Sequence, residues 1–338
     1  MTSAEISFAL VALPGAPFRM FRDNGAGSLR SRDVFVAVPW NTSFDKGYVI
    51  RDTDCPLTPG LDGFGTAPLT QSTDREEYLR QLASLISTLK ATGGKTVVSA
   101  VICGSFAGPS EVTMDRLVQF LHDAPSDCYR CLFHTPRTGT WLIVSPETLA
   151  DIELDGGRLR TMSLAGSRPA GTGGAWDRKN RDEQAMVTGF ILDCLKTHGV
   201  SEITTATGTR RASAVEHIIT EIEGRTDDGY DCFGLLDSLS PTPALCGLPR
   251  DVSLRRIAEI ERHPRRMYGG YTAVIESGKR IYAAVTLRCA HIDSGSWCIY
   301  TGSGITGASD PEAEWSEISL KARPLTDLFL YEPITATR

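Results

Sequence analysis

Two stretches of this chain are predicted to form strands that follow one another with no helix between them. Apolar, β-branched runs occupy residues 131–144 and 158–164, and the segment Tyr271–Tyr300 contains three more, joined by Ser277-Gly278 and by a turn at 293–296. Antiparallel strands can be joined by tight turns, whereas parallel strands need a crossover of about a dozen residues. The pattern therefore predicts antiparallel sheets of the α+β class, not an alternating βαβ chain.

Helices are predicted around these strands. Thr73-x-x-Glu76 is a capping box that opens the first helix, and Gly93-Gly94 ends it directly before a strand that starts at Lys95. We also predict helices at 110–123, 177–197 and 251–262, and strands at 5–12 and 33–39. The expected fold is a single domain, 1–338, in which large antiparallel sheets form a core with surrounding helices.

The segment after the last predicted strand combines a glycine-rich turn with a helix start. Ser309 can cap that helix, and Glu312 three residues later completes a capping box. Glu314, Glu317 and Lys321 then fall at i, i+3 and i+7, so their side chains share one helix face. Two carboxylates on one face can hold a divalent cation and the lysine can contact an anion, although a solvated charged face is the alternative for the segment alone.

Two other chemistries are disfavoured. Gly302-x-Gly304-x-x-Gly307 matches the dinucleotide fingerprint, but that motif starts a βαβ unit with an acidic residue about 20 positions on, and no such unit follows here. The chain has no Gly-x-Ser-x-Gly nucleophile elbow and its six histidines show no local partner pattern. We therefore expect neither a nicotinamide or flavin site nor a serine hydrolase.

Net charge and cysteine content limit the partners and the cellular compartment that we expect for this protein. A formal net charge of −6 argues against a nucleic-acid binder, which works by neutralising phosphates. Nine scattered cysteines indicate reduced thiols, and Cys128-x-x-Cys131 lacks the further ligands of a zinc site, so buried thiols are expected there. We see no secretion signal and no apolar run of about 18 residues, and therefore expect a soluble cytoplasmic protein without membrane contact.

Several dispersed charged residues accompany the C-terminal helix. Glu147 follows an apolar strand in Ser145-Pro146-Glu147, and residues 161–169 are predicted to be a polar turn of small residues. Glu183 lies in the first turns of the 177–197 helix, where a solvated carboxylate is the alternative. Arg288 is predicted inside a strand, on a face of small residues, where an arginine more often binds an anion or a partner carboxylate than faces water.

The order of these motifs resembles the chorismate-utilising enzymes, which include isochorismate, salicylate, anthranilate and aminodeoxychorismate synthases. The resemblance runs from about 75 to 325, and the strands within 1–70 match less well. It is carried by Lys95, Ser145-Pro-Glu147, Leu164-Ala-Gly-Ser167, Lys179-x-Arg-x-Glu183-Gln, Pro241-Thr-Pro-Ala-Leu-Cys-Gly-Leu-Pro249, Tyr268-Gly-Gly, Leu287-Arg-Cys-Ala290, Thr301-Gly-Ser-Gly-Ile305 and Ser309-Asp-Pro-Glu-Ala-Glu-Trp-Ser-Glu317 with Lys321.

The resemblance implies a magnesium site and a set of substrate contacts. Mg²⁺ prefers oxygen ligands, and the matching carboxylates are Glu183, Glu314 and Glu317, which would hold it against the ring carboxylate of chorismate. The residues implied in binding the substrate are Gly166 and Ser167 at the ring carboxylate, Tyr268, Arg288 and the Gly302 backbone at the enolpyruvyl carboxylate, Lys321 beside the metal, and His217 and Ala244 elsewhere in the site. Taken alone, His217 lies on a run that looks helical and would more often be a packed core histidine.

The same resemblance implies the chemistry. Lys95 matches a base that activates water for addition at C2, and Glu147 matches an acid that protonates the leaving C4 hydroxyl. Such a site must lower the pKa of the lysine and raise that of the glutamate. Anthranilate synthases lack a lysine at the Lys95 position, and aminodeoxychorismate synthases carry a lysine at the position of Ala165. Salicylate synthases tend to carry threonine at the position of Ala244, so we expect an Mg²⁺-dependent isochorismate synthase, with salicylate synthase as the alternative.

The resemblance also bears on partners. It implies chorismate as the small-molecule substrate, a monomer, no amidotransferase subunit and a product that enters menaquinone or siderophore synthesis. A fold-related protein that binds the ligand without turnover is a further alternative. One departure concerns Ser240, which stands where many members have the histidine of His-Pro-Thr-Pro-Ala.

Overall fold

The computed structural model describes residues 6–55, 69–106, 113–212, 215–293 and 295–330. In these ranges the chain forms six α-helices: α1 (Arg75–Thr92), α2 (Met114–Asp123), α3 (Arg178–Thr197), α4 (Cys232–Leu239), α5 (Arg250–Ile260) and α6 (Pro311–Phe329). It also forms sixteen strands: β1 (Ser7–Ala12), β2 (Arg19–Asp23), β3 (Leu29–Val38), β4 (Tyr48–Thr53), β5 (Lys95–Ser105), β6 (Tyr129–Thr135), β7 (Gly139–Ser145), β8 (Thr148–Glu153), β9 (Arg158–Pro169), β10 (Ser201–Ala212), β11 (Val215–Arg225), β12 (Gly247–Leu248), β13 (Tyr271–Glu276), β14 (Arg280–Val285), β15 (Cys289–Ile292) and β16 (Ser296–Ile305).

The strands form two antiparallel half-sheets that meet at one weak link. The first half has the order β10-β11-β9-β8-β14-β13-β3-β4, and the second has the order β2-β1-β6-β7-β15-β16-β5-β12. The link between them is a single parallel residue pair, Arg22 with Asp52, between β2 and β4. This arrangement confirms the predicted α+β class with large antiparallel sheets.

The main core lies where side chains of both half-sheets meet. Its cluster contains Phe35 and Tyr271 of the first half, Trp141 of the second half and Leu236 of α4, all of them buried. Burial of an aliphatic or aromatic side chain of this size contributes about 1.5–3 kcal/mol. Smaller clusters attach α1, α2 and α6 to the outer faces of the second half. The two helices that carry predicted carboxylates are thus fixed by apolar contacts, α3 in the main cluster and α6 in the smaller ones.

The helix predictions are confirmed where the structure describes them, with shifts at the caps. The first helix is capped by Asp74, whose side chain accepts from the Glu77 amide, not by Thr73. Residues 110–112 of the predicted second helix lie outside the described ranges. None of the helices in the described part of the chain is long and apolar enough to span a membrane.

Some strand predictions were wrong in their limits. The run at 131–144 is two strands, β6 and β7, because Pro136 begins a turn and cannot continue the ladder. Strands β10 and β11 were missed, and the helical appearance of the run around His217 was wrong, because that residue lies on β11. Most side chains of the edge strand β10 are exposed, so it lacks the alternation that identifies a strand.

Two of the points at which the chain passes from one half-sheet to the other lie next to each other. One crossing, at 146–147, joins β7 to β8, and the other, at 286–288, joins β14 to β15. The Val285 amide donates to the Glu147 carbonyl, and the Val144 amide donates to the Arg288 carbonyl. Both crossings carry a predicted site residue, so the topology brings these residues together.

The second crossing corrects the prediction for Arg288. Residues 271–300 form four strands instead of three, and Arg288 lies between β14 and β15 with φ +45°. The chain passes from one half-sheet to the other here, and a residue in the left-handed region makes the turn. Arg288 therefore does not share a strand face with small residues, as the sequence suggested.

Candidate active site

A cavity at the meeting point of the two half-sheets collects the predicted site residues. Its walls include all of them except Glu314, namely Lys95, Glu147, Gly166, Ser167, Glu183, His217, Ala244, Tyr268, Arg288, Gly302, Glu317 and Lys321. Glu314 lies on α6 one turn before Glu317 and is only 2% exposed. Residues that are up to 226 positions apart, Lys95 and Lys321, thus face one space.

Lys95 is a buried cation at the first position of β5. Its side chain is 1% exposed, and its Nζ lies 2.7 Å from Oε1 of Glu183 on α3. The backbone of Lys95 is fixed because its residue pairs with Leu248 of β12 and its carbonyl accepts from the Ser253 hydroxyl at 2.7 Å. Glu183 is therefore the ion-pair partner of Lys95 in this cavity.

Gly304 on β16 makes room for this ion pair. A Cβ at Gly304 would lie 2.4 Å from Cε of Lys95 and 2.5 Å from Oε1 of Glu183, distances that no carbon tolerates. The glycine-rich segment of β16 therefore packs against side chains of the site. Gly302 and Gly304 of this motif lie inside an antiparallel strand, whereas a dinucleotide fingerprint lies between a strand and a helix of a βαβ unit.

Glu147 lies at the crossing between β7 and β8 and is 3% exposed. Burial raises its pKa to about 7, while the charge of Lys95, a hydrogen bond from Thr242 and the charge of Lys321 act in the opposite direction. The Thr242 hydroxyl donates to Oε1 of Glu147 at 3.4 Å. A carboxyl group with this pKa is partly protonated near neutral pH and can act as a general acid.

A β-bulge at Gly166 shapes the next wall. The register of β9 with β11 jumps from the pair Ser167–His217 to the pair Ala165–Ile218, which leaves Gly166 as the extra residue, with φ +64°. A Cβ at Gly166 would lie 2.8 Å from the carbonyl oxygen of Asn180 on α3. The predicted polar turn at 161–169 was wrong, because β9 continues to Pro169 and only the bulge interrupts it.

Arg288, His217 and Ser167 form a hydrogen-bonded chain along this wall. Nη2 of Arg288 lies 3.0 Å from Nε2 of His217, and Nδ1 of His217 lies 3.0 Å from the Ser167 hydroxyl. Burial lowers the pKa of His217 well below 6.5, and the charges of Arg288 and Lys321 lower it further, so the imidazole is neutral. Burial also lowers the pKa of Arg288, to about 10, which still leaves a cation at neutral pH.

Three lysines neutralise the three predicted metal-binding carboxylates. Besides the pair of Lys95 with Glu183, Nζ of Lys179 lies 2.7 Å from Oε1 of Glu314, and Nζ of Lys321 lies 2.6 Å from Oε1 of Glu317. The shared helix face predicted for α6 is therefore real, but it is a partly buried, ion-paired face instead of a solvated one.

The pKa values of the two α6 carboxyl groups diverge. Burial and the charge of Glu317 raise the pKa of Glu314, against the opposing effect of Lys179. Burial also raises the pKa of Glu317, but the charges and hydrogen bonds of Lys321, with Lys179 and Ser167, lower it more. Two carboxylates in one site repel each other, and the ammonium groups of Lys179 and Lys321 oppose that repulsion.

The cap of α6 differs from the prediction. Asp310, not Ser309, accepts from the backbone amide of Ala313, and Pro311 takes the first helical position. The Ser309 hydroxyl instead accepts from the Thr306 amide in the preceding turn. An aspartate directly before a proline is the stronger start signal, because proline is pre-organised for the first turn.

The side chains of Glu183, Glu314 and Glu317 have the donor chemistry that a hard divalent cation requires. All three supply oxygen, the donor type that Mg²⁺ prefers, and each already contacts a positively charged nitrogen. In the described part of the chain no three His, Cys, Asp or Glu side chains lie close enough together to hold a metal as they stand. Cation binding would therefore require the carboxylates to change partners.

The remaining walls fit an anion with an apolar body. The Gly302 carbonyl accepts from Nζ of Lys321 at 3.2 Å, and a Cβ at Gly302 would lie 2.6 Å from the Tyr268 hydroxyl. Ala244, Leu245 and Tyr300 contribute apolar surface to the same cavity. Cations and apolar groups thus line one space, as a cyclic carboxylic acid would require.

Sequence reasoning missed the roles of two residues. Lys179 precedes Glu183 by four positions, and this i, i+4 spacing could have indicated a shared helix face. Thr242 gave no such signal, because its contact with Glu147 joins segments 95 positions apart. The thiols of Cys128 and Cys131 are buried, as expected.

Comparison with known proteins agrees with this arrangement. The family described as chorismate binding enzyme matches residues 58–327. The chain is 28% identical over 266 residues to isochorismate synthase MenF of Bacillus subtilis, which covers 75% of this chain and 55% of that protein. It is 29% identical over 245 residues to isochorismate synthase EntC of Escherichia coli, which covers 65% of this chain and 62% of that protein. The chain therefore spans less than two thirds of the length of these relatives.

A solved structure supports the fold. The menaquinone-specific isochorismate synthase MenF of Escherichia coli matches with a TM-score of 0.79 and 22% sequence identity, over 96% of this chain and 88% of that chain. At this identity the likeness establishes the fold. The fold implied by the sequence resemblance is confirmed.

Proposed function

Because this chain belongs to the family of chorismate binding enzymes, we propose that it is an isochorismate synthase. The reaction would add water at C2 of chorismate and remove the hydroxyl group at C4. The observation that carries the proposal is the pairing, in one cavity, of a buried lysine, Lys95, with a buried carboxyl group, Glu147, whose pKa is raised to about 7. The curated relatives named isochorismate synthase support it.

Glu147 would act as the general acid. In its protonated form it donates the proton to the C4 oxygen, which leaves as water, and the carboxylate that results is stabilised by Lys95 and Thr242. A raised pKa is what this role needs, because an ordinary carboxyl group would already be ionised at neutral pH.

Lys95 would act as the base. As long as its ammonium contacts Glu183, it cannot accept a proton, so it must part from Glu183 and lose its proton before it acts. The neutral amine then accepts a proton from the water that adds at C2. One water adds and one leaves, so the reaction is an isomerisation with no net change in composition.

The other predicted residues would hold the substrate. Arg288 and Tyr268, with the backbone at Gly302, would bind the enolpyruvyl carboxylate, and Gly166 and Ser167 would bind the ring carboxylate, with His217, Ala244 and Lys321 completing the walls. Glu183, Glu314 and Glu317 would hold Mg²⁺. When bound, the cation would supply positive charge that neutralises the ring carboxylate.

The use of water as the nucleophile affects which partner subunits the enzyme needs. Water needs no amidotransferase subunit to generate it, so we propose that the chain acts without one. From the family resemblance we also propose that it is a monomer. Size-exclusion chromatography with light scattering would test the oligomeric state, and a stable dimer would contradict this part.

Product analysis tests the proposed function. The protein is incubated with chorismate and Mg²⁺, and the products are separated by chromatography. Isochorismate alone supports the proposal, whereas salicylate with pyruvate would replace it by salicylate synthase. Binding of chorismate without any product would contradict both activities.

A matched pair of lysine variants tests the base. Lys95→Ala should lower kcat by roughly 10²- to 10⁴-fold, the usual contribution of a general base. Lys90→Ala, which removes an exposed lysine just before β5, should leave kcat unchanged. Full isochorismate formation by Lys95→Ala would show that another group activates the water.

A further inference from the structure

We propose that Lys179 is a displaceable counter-ion of the carboxylate cluster, Glu183, Glu314 and Glu317, and that its ammonium leaves Glu314 when a divalent cation binds. Lys179 would thereby weaken cation binding and keep the cluster neutral when no cation is present. The inference rests on the proposed function only for the identity of the three carboxylates as the cation site.

The geometry places Lys179 between the two helices that carry this cluster. It precedes Glu183 by one turn of α3, and its Nζ reaches across to α6, where it lies 2.7 Å from Oε1 of Glu314. Glu317 follows Glu314 by three residues on the same face of α6. One ammonium group thus stands between the two helices that supply all three carboxylates.

The electrostatics agree with this position. Burial lowers the pKa of Lys179, but the charge of Glu314 and its hydrogen bond, with the charges of Glu183 and Glu317, raise it more, so the net shift is upward. All three predicted cation ligands therefore act on this single ammonium. The ammonium of Lys179 thus compensates negative charge that a bound divalent cation would compensate in its place.

Exposure distinguishes Lys179 from the other two lysines. Its side chain is 29% exposed, against 1% for Lys95 and 18% for Lys321, whereas its partner Glu314 is 2% exposed. An ammonium that leaves Glu314 can therefore pass into water at the end of a flexible side chain. The carboxylate cannot follow it and stays available to a new cation.

A divalent cation and the ammonium compete for the same lone pairs. Nζ of Lys179 donates to Oε1 of Glu314, and a metal bound through that oxygen would need to replace this contact. Leaving Glu314 buried with neither partner would be unfavourable, because an unpaired buried charge is costly. The exchange of one cation for the other avoids that state.

Calorimetric titration with MgCl₂ alone, without chorismate, tests the competition. Lys179→Met should bind Mg²⁺ roughly tenfold more tightly than the wild type, equivalent to about 1.4 kcal/mol. Arg178→Met is the matched control, because it removes a positive charge one residue away on the same helix, from a side chain that is 90% exposed. Its Mg²⁺ affinity should stay within about twofold of the wild type. Equal or weaker binding by Lys179→Met would overturn the proposal.

A labelling experiment on the wild-type protein tests the displacement itself and does not depend on how a variant folds. An amine-reactive acylating reagent is applied with and without MgCl₂, and the extent of reaction at each lysine is measured by peptide mass spectrometry. Reaction at Lys179 should increase severalfold with Mg²⁺, relative to the exposed Lys196 on the same helix. An unchanged or decreased reaction at Lys179 would show that its ammonium stays in place.

The outcomes separate this inference from the proposed function. If the wild type binds no Mg²⁺ at all, the assignment of the carboxylates fails, and the inference fails with it. If the wild type and Lys179→Met bind Mg²⁺ equally, only the role of Lys179 fails. Neither titration involves chorismate, so the product analysis remains an independent test of the reaction.

Discussion

The guanidinium of Arg288 donates a hydrogen bond to Nε2 of His217 over 3.0 Å. Arginine has no acceptor, so Nε2 must carry the lone pair, and the proton of the neutral imidazole must lie on Nδ1. Nδ1 then donates to the Ser167 hydroxyl at 3.0 Å. His217 is therefore a neutral connector with a fixed tautomer, which holds the proposed enolpyruvyl-binding arginine in register with the bulge at Gly166.

The tautomer of His217 can be observed directly. Nitrogen NMR of protein labelled at histidine should show His217 with Nδ1 protonated and Nε2 unprotonated, because Arg288 donates to Nε2. The signal should not titrate between pH 6 and 8, because burial lowers the pKa well below 6.5. The variant His217→Gln assigns the resonance. An imidazolium, or a proton on Nε2, would contradict the hydrogen-bonded chain.

The pH dependence of the reaction should report Glu147. The protonated acid is lost as pH rises through its pKa of about 7, so once Lys95 is in its neutral form kcat should fall about tenfold per pH unit on the alkaline side. Glu147→Gln should lower kcat by roughly 10²-fold or more and should lack this alkaline limb. Glu153→Gln, a partly exposed carboxyl group at the end of β8, is the control that should keep it. A wild-type profile that is flat from pH 6.5 to 9 would argue against Glu147 as the acid.

The same carboxyl group should make stability depend on pH. The pKa of Glu147 is about 7 in the folded protein against the ordinary 4.5, so the folded state retains a proton that the unfolded state loses. The contribution of Glu147 to the free energy of unfolding is therefore fully present below about pH 4.5 and declines as pH rises to 7. The wild type loses this contribution as pH rises, and Glu147→Gln does not. Between pH 4.5 and 8 the difference in free energy of unfolding between the two proteins should therefore change by about 3 kcal/mol in favour of the variant, since each pKa unit is about 1.4 kcal/mol.

Urea denaturation of metal-free protein at several pH values measures this difference. Glu153→Gln should show little pH-dependent change, because its side chain is 39% exposed and charge there is screened by water. A constant difference between Glu147→Gln and the wild type across the range would show that the folded-state pKa is not raised.

A pair of glycine variants tests the packing of β16 against the proposed base. Gly304→Ala places a methyl group within 2.5 Å of both Lys95 and Glu183, so their ion pair must shift. Displacement of a catalytic group by about 1 Å can cost about 10²-fold in rate. We therefore expect kcat/KM to fall about 10²-fold, with a loss of about 1–3 kcal/mol in free energy of unfolding.

Gly208→Ala is the matched control in another strand. A Cβ at Gly208 would have its nearest neighbour at 3.9 Å, which is ordinary contact. Both kcat/KM and the free energy of unfolding should stay close to the wild type. Equal kinetic effects of the two substitutions, or an unchanged Gly304→Ala enzyme, would remove the steric role of Gly304.

The fold class and the helices could be predicted from the sequence because their signals are local. The apolar spacing of α1, the long run of α3 and the face shared by Glu314 and Glu317 depend on residues within a few turns of each other. The antiparallel character of the sheets could also be predicted, because consecutive strand-like runs are a local signal. The family resemblance then named the site residues, and the structure brings them to one cavity, with Glu314 just behind its wall.

What tertiary structure alone decided was how these residues meet. The sequence determined a strand that starts at Lys95 and a helix that carries Glu183, but their ion pair joins positions 88 apart and depends on the packing of α3 against the sheet. The bulge at Gly166 exists only through its register with β11, and the turn at Arg288 only because the chain changes half-sheet. Periodicity indicates which face of an element is apolar, whereas the carboxylate partners of Lys95 and Lys179 are set by contacts between distant segments, so these parts of the site's chemistry became visible only in the folded chain.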